Sequence, residues 1–164
     1  MKLLHIRFAR QEDIPSILSF IKDLADFEKL SHEVVATEEK LKATLFGPRP
    51  VAEVLIAEWE GRPAGFALFF HSYSTFLAKP GIYLEDLFVR NEYRSRGIGE
   101  ALLKHLAGIA KERSCGRLEW SVLDWNERAL KFYRGLGAVP MADWTVQRMT
   151  EPVFTKLAES NSNT

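Results

Sequence analysis

Apolar and polar residues alternate from Leu3 to Phe8, as Leu-Leu-His-Ile-Arg-Phe, and a period of two predicts a first strand. The period then changes. Ile14, Ile17, Leu18, Ile21, Leu24 and Ala25 recur at helical spacing, so a helix opening in Gln11-Glu-Asp-Ile-Pro15 should bury that face. Asp13 is its candidate cap, and Pro15 is tolerated in the first turn. A second helix is expected from Thr37 to Leu45, capped by Thr37, with Glu38 and Glu39 suited to its positive end. It stops before Gly47-Pro-Arg-Pro50. Glu53–Trp59 and Ala64–Phe70 flank the turn Glu60-Gly-Arg-Pro63, which reads as a hairpin. A loop from Ser72 to Pro80 leads to the strand Ile82–Val89. A long amphipathic helix, about Ile98 to Arg113, follows, and then a strand from Arg117 to Leu123. Asp124-Trp125-Asn126 starts a shorter helix that runs to about Gly135. Two strand-like segments, Ala138–Trp144 and Val146–Met149, end the pattern. Antiparallel strands followed by one β-α-β crossover predict a mixed, three-layer α/β sheet.

Composition narrows the class without naming it. The 164 residues suit one domain, expected over 1–158, with a frayed polar tail at 159–164. Hydrophobic residues make up 46% and charged residues 27%, ordinary for a soluble globular chain. With 22 basic and 22 acidic residues the net charge is +0, so no basic field points to nucleic acid. A local phosphate site stays open. The single cysteine, Cys115, excludes an internal disulfide and a multi-cysteine zinc site. His5, His32, His71 and His105 show no metal-ligand spacing, so no metal is expected. No apolar run reaches spanning length and the start lacks a signal-peptide pattern, so no membrane partner is expected and cytoplasm is the default.

The chemistry concentrates between Ile82 and Arg113. The strand Ile82-Tyr-Leu-Glu-Asp-Leu-Phe-Val89 is followed by Arg94-Ser-Arg-Gly-Ile-Gly99, placed where the long helix must begin. Free backbone N–H groups and the positive end of the dipole make that start a natural anion site. Gly97 and Gly99 let a phosphate approach the backbone, and Arg94 and Arg96 add charge. A P-loop needs Gly-x-x-x-x-Gly-Lys-Ser/Thr, which is absent. A dinucleotide fingerprint fails because Leu102 takes its third glycine position.

What remains, Arg94-x-x-Gly97-x-Gly99 between an acidic strand and a long helix, resembles the acetyl-CoA motif of the GNAT-fold N-acetyltransferases. The element order resembles that fold along nearly the whole chain. Tyr83-Leu-Glu-Asp-Leu-Phe-Val89, Tyr93 to Gly99, Leu123-Asp-Trp-Asn126, Phe132-Tyr133 and Leu24-Ala-Asp-Phe-Glu-Lys-Leu30 are similar to one branch. That branch holds the spermidine/spermine and thialysine N-acetyltransferases. The resemblance implies a central, mostly antiparallel sheet flanked by helices, with strands four and five splayed apart to admit the pantetheine arm. It implies backbone contacts to that arm from Leu87, Phe88 and Val89. Ser95, Arg96, Gly97, Ile98, Gly99 and Glu100, with Arg94, would wrap the pyrophosphate; Asn126, Arg128 and Phe132 would touch the arm. Acetyl-CoA is then the acyl donor and co-substrate.

An amine with a pKa of about 10.4 must lose a proton before it attacks, and a thiolate leaving group must gain one. Glu85 is the candidate base, since a carboxylate in mid-strand is unexpected unless it faces a cleft. Strand alternation sends Asp86 to the opposite face, in a structural role. The resemblance makes Tyr133 the candidate acid: a phenol, with pKa about 10, can protonate a thiolate and stay neutral at physiological pH. Cys115 would support an acyl-cysteine route, but it lies at the far end of the helix from the glycines and reads as a packing residue. Direct attack in a ternary complex is favoured. Trp59, Trp120, Trp125 and Trp144 read as core or pocket walls.

By the same resemblance Phe27, Glu28, Glu85, Glu119, Trp120 and Ser121 line the acceptor site. A diamine, polyamine or lysine-like amine is the expected acceptor, and the expected assembly is a homodimer joined through C-terminal strands. Asp124-Trp125-Asn126 is closer to the thialysine enzymes, whereas Ala142-Asp-Trp-Thr145 lacks the glycine-tryptophan-aromatic pattern of the branch. Two alternatives stand: a protein terminus or an aminoglycoside as acceptor, and a CoA-binding module without catalysis.

Overall fold

The structure, a computed structural model, describes residues 3–160. These fall into two compact units that divide after Ser121.

The first unit holds a five-stranded sheet in the order β1 (Leu4–Phe8), β2 (Glu53–Trp59), β3 (Arg62–Ser74), β4 (Lys79–Val89), β5 (Arg117–Trp120). The first three pairings are antiparallel and the last, β4 with β5, is parallel. Helices α1 (Ile14–Phe27) and α2 (Glu38–Leu45) cover one face. There Ile14, Ile17, Phe20, Leu41 and Leu45 pack on Val54, Ile56, Phe66 and Phe88. Phe20, which the helical periodicity did not single out, stacks on Phe66 with centroids 5.2 Å apart. Alternation turns Leu55, Ala67 and Phe69, all fully buried, to the other face. Helix α3 (Ile98–Glu112) meets all five strands and buries Ile98, Leu102, Leu103, Leu106 and Ile109. The mixed α/β class and flanking helices are as expected.

Local chemistry sets several boundaries. Thr37 caps α2, its hydroxyl accepting from the Lys40 N–H at 3.2 Å. Asp13 precedes α1 but serves the sheet, accepting two bonds from Arg7 at 2.7 and 2.9 Å. Arg7 also donates to Glu58 at 2.7 Å, tying β1 to β2. The expected loop from Ser72 to Pro80 is a correction: β3 and β4 pair out to Ser74 and Lys79, leaving a tight turn between. Ser72 faces Gly81, where an added Cβ would lie 2.5 Å from the Ser72 hydroxyl. The glycine, not a loop, makes that close pairing possible.

Arg7 hydrogen bonds hold the Asp13 carboxyl below its ordinary range against the opposing effect of burial. Burial also pushes Glu58 up, but bonds from Arg7 and His5 outweigh it. Both carboxylates therefore add stability above their unfolded values of 3.8 and 4.5, and that contribution is lost as pH falls through the lower native values. The stability deficit of Arg7→Met in urea should accordingly be clear at pH 7 and shrink at pH 3. An equal deficit at both would contradict this.

The second unit contains α4 (Glu127–Gly135) and α5 (Glu151–Glu159). Asn126 caps α4, its side-chain oxygen accepting from Ala129 N–H at 3.2 Å. The strands expected at Ala138–Trp144 and Val146–Met149 do not form. A strand needs a neighbour to receive its backbone bonds, and among the described residues this unit contains no strand at all. Helix α5 was unforeseen, although Thr150 precedes it and Pro152 sits in its first turn. Trp125 and Trp144 are not core residues, being 51% and 78% exposed. Of the expected frayed tail, Glu159 ends α5 and residues 161–164 lie outside the described ones.

Candidate active site

Strand β4 carries an irregularity at its centre. Leu68 stands opposite Asp86 and Phe69 opposite Leu84, so Glu85 has no partner across the ladder and forms a bulge. The bulge breaks the alternation that would have separated Glu85 from Asp86. Asp86 shares the face of Leu68, which packs against the α1–α2 core. Glu28, just beyond α1, belongs to the same group: Glu85 and Glu28 both act on Asp86, and Glu85 acts on Glu28.

Glu85 is exposed while Asp86 is largely withdrawn from water. Burial first, then the charges of Glu85 and Glu28, push the Asp86 carboxyl up to about 6. Burial, then Glu85, also raises Glu28. Asp86 is therefore the perturbed acid, which a structural role on the far face had not anticipated. Folding favours its protonated form, so the penalty is absent below the unfolded value near 3.8 and grows as pH rises through about 6. Asp86→Asn should then stabilise the protein at pH 8 by on the order of 1–3 kcal/mol and not at pH 4. Chemical denaturation at the two pH values measures it; a gain of equal size at both would mean that the Asp86 carboxyl is not linked to folding, contradicting this.

The β4–β5 ladder ends at Leu84 and Trp120, leaving one edge of Glu85–Val89 outside it. Arg90 N–H bonds to Ala64 O on the β3 side. By antiparallel alternation the backbone groups of Leu87 and Val89 then face the open edge, and those of Phe88 face β3. The Val89 carbonyl already accepts from Arg94 Nε at 3.0 Å. Glu119 stands beside Tyr83 in the β4–β5 register, and the Tyr83 hydroxyl lies 2.8 Å from Ser121 Oγ. Trp120, opposite Leu84, is half-buried.

The start of α3 is open. Ser95 and Gly97 take positive φ, 62° and 74°, and no side chain caps the helix. A Cβ added at Gly97 would meet nothing within 4 Å, and one at Gly99 only Val89 Cγ2 at 4.0 Å. Backbone N–H groups of Ile98, Gly99 and Glu100 sit in the uncapped first turn, where a helix has no internal acceptor. Glu100 pairs with Lys104 at 2.7 Å. Arg96 lies over Trp59 and Tyr93, at 5.0 and 5.9 Å. Arg94 lies between Phe27 and Phe88, at 5.2 and 5.6 Å. An uncapped helix start with room at both glycines can bind an anion through backbone N–H groups.

The other sites are simpler. Cys115 is partly buried, with its N–H on Ala110 O at the opposite end of α3. His71 donates from Nδ1 to Gly81 O, leaving Nε2 to accept from Arg113. Among the described residues no group of His, Cys, Asp and Glu is arranged to hold a metal ion, and no helix is long and apolar enough to cross a membrane. In the second unit the Phe132 and Tyr133 rings are 5.5 Å apart on α4, Asn126 is its cap, and Arg128 is exposed in its first turn.

Residues 18–138 match the Acetyltransferase (GNAT) family. The chain belongs to that family. The GNAT chain is 40% identical to the thialysine N-epsilon-acetyltransferase of Bos taurus, over 96% of its own length and 99% of the bovine protein. It is 35% identical to an L-ornithine N5-acetyltransferase of Arabidopsis thaliana, covering 95% of this chain and 88% of the plant protein. Among solved structures, an integron cassette protein from the mobile metagenome of V. cholerae superposes with a TM-score of 0.82 at 26% identity, over 98% of this chain and 100% of that one. The GNAT protein is therefore an acetyl-transferring enzyme acting on an amine.

Proposed function

We propose that the enzyme moves the acetyl group of acetyl-CoA to the primary amine of a small diamine, polyamine or lysine-like molecule. The observation that carries this is the pairing of an uncapped, glycine-lined helix start with a β4 edge bulged at Glu85. Acetyl-CoA supplies an activated acyl carbon as a thioester. The turn from Ser95 to Glu100 holds its pyrophosphate through backbone N–H groups, and Leu87 and Val89 offer backbone to the pantetheine arm. The amine nitrogen attacks the thioester carbon, the N–C bond forms and the C–S bond breaks. Glu85 takes the proton of the ammonium through water before attack; by the family resemblance Tyr133 gives one to the departing sulfur, and the second proton shed by nitrogen restores the phenol through solvent. Phe27, Glu28, Glu119, Trp120 and Ser121 line the acceptor side, where carboxylates attract a cation. The family resemblance assigns contacts with the pantetheine arm to Asn126, Arg128 and Phe132. The names of the bovine and plant relatives, a thialysine and an ornithine acetyltransferase, favour a small basic acceptor over a protein terminus.

Gly99→Val separates binding from folding. A Cβ there would meet only Val89 Cγ2, at 4.0 Å, so the fold should stand while the phosphate cradle fills. Acetyl-CoA at about 100 times its Kd should stabilise the wild type by about 2.7 kcal/mol, and Gly99→Val far less, in thermal melts. No shift for the wild type at saturating ligand would defeat the reading.

A homodimer belongs to the same reading. Val139, Trp144 and Val146 are 77–78% exposed, and Val153, Phe154 and Leu157 of α5 are at least half exposed. Apolar surface of that extent favours association. Light scattering should give twice the chain mass; a monomer at micromolar concentration would exclude it.

A further inference from the structure

The bulge in β4 brings two carboxylates to one face. In a regular strand Glu85 and Asp86 would point to opposite sides of the sheet. Instead Asp86 stands opposite Leu68 and Leu84 opposite Phe69, with Glu85 inserted between. That register turns Glu85 and Asp86 toward the same side, where Leu68 packs on the α1–α2 core. Glu85 is exposed there and Asp86 is largely withdrawn from water.

Asp86 is the unusual member of the pair. Burial and the charges of Glu85 and Glu28 all oppose its ionisation, and neither a hydrogen bond nor a cation among the described residues offsets them. The residue facing it from β3 is the apolar Leu68. Of Lys22, Asp23, Asp26, Glu28 and Lys29, at the end of α1 and just beyond, Glu28 is the one that acts on it. The arginines of that face are engaged elsewhere. Arg90 donates to Ser19 and to Pro63 O at 3.1 and 3.3 Å, and lies 3.9 Å from Asp23. Arg94 stacks on Phe27 and Phe88 and donates from Nε to Val89 O. Among the described residues no side-chain oxygen is both sealed from solvent and unbonded, so the Asp86 carboxyl keeps contact with water. Groups that oppose folding in this way cluster at functional sites.

We propose that Asp86 is a positioning residue for the transfer: its carboxylate, held on the bulge beside Glu85, acts through Glu85 to draw the proton from the ammonium. The inference rests on the transfer reading above and adds the group that decides when Glu85 can work. The ammonium N–H bond breaks, its electron pair stays on nitrogen, and the proton passes through water to Glu85. A second negative charge on the adjacent residue favours the arrival of that proton, because uptake relieves the repulsion between the two carboxylates. Protonated Asp86 supplies no such charge, so the step weakens as pH falls through about 6. Ionisation of Asp86 thus lowers stability and raises activity.

The test is the pH dependence of kcat and KM in a thiol-release assay with acetyl-CoA, for the wild type and Asp86→Asn. The acceptor is the fastest of spermidine, 1,3-diaminopropane, thialysine and ornithine. At pH 8 Asp86→Asn should lower kcat about tenfold, with KM for acetyl-CoA unchanged. At pH 5, where the wild-type carboxyl is protonated, the two proteins should agree within about twofold. Chemical denaturation at pH 8 should show the slower variant to be folded and no less stable than the wild type. An equal deficit at pH 5 and pH 8, or none at either, would overturn the assignment while leaving acetyl transfer intact. A deficit confined to KM for the amine would also overturn it, making Asp86 an attractor for the cation. No turnover of any of the four amines by the wild type would refute the transfer reading itself, and this role with it.

Discussion

Tyr133→Phe is expected to lower kcat by about two to three orders of magnitude, with little change in the affinity for acetyl-CoA. The expected loss follows from the leaving group. Protonating the sulfur as the C–S bond breaks neutralises the charge that develops on the departing group and lowers the barrier to its departure. A phenol with pKa near 10 stays protonated across the physiological range and can act there. Phenylalanine keeps the ring that stands beside Phe132 on α4 and removes only the hydroxyl. A drop in kcat with unchanged acetyl-CoA protection therefore isolates proton donation from packing. Wild-type turnover in the variant would remove Tyr133 from the mechanism.

Glu85→Gln should lower kcat/KM for the amine by about a hundredfold near pH 7, and the deficit should shrink as pH rises. An amine with pKa near 10.4 is almost wholly protonated at pH 7, so without a base only its rare neutral fraction reacts. Near pH 10 that fraction is large and a base adds little. The split between kcat and KM separates this from an electrostatic role. Were Glu85 only an attractor for the cation, its loss would appear as a raised KM while the substrate is charged, with kcat preserved.

The places where residues and structure disagree have physical causes. The start of α3 was legible because glycines, a cap position and the apolar repeat from Ile98 to Ile109 are local signals. Thr37 at the head of α2 was legible for the same reason. The bulge at Glu85 was not, because it arises from the register between two strands and leaves no mark in the propensity of either. It is what places Asp86 on the α1–α2 face with its carboxyl raised. Ser72–Pro80 carries turn residues, yet pairing between β3 and β4 overrode them. Residues 138–149 have strand composition, but a strand is a property of a pair, and this unit offers no second strand among its described residues. The Arg94 stack was hidden for a related reason. Phe27 and Phe88 are far apart in sequence, and only the fold brings both rings to one guanidinium.

The most direct measurement is CoA thiol release by the purified enzyme with acetyl-CoA and a panel of spermidine, 1,3-diaminopropane, thialysine, ornithine and lysine peptides. At least one small basic amine should release thiol and yield the acetylated amine by mass spectrometry, with both signals lost together in the Glu85→Gln, Tyr133→Phe double variant. Thiol release without an acetylated amine, or acetyl-CoA protection with no turnover of any amine, would contradict small-amine acetyl transfer at this site.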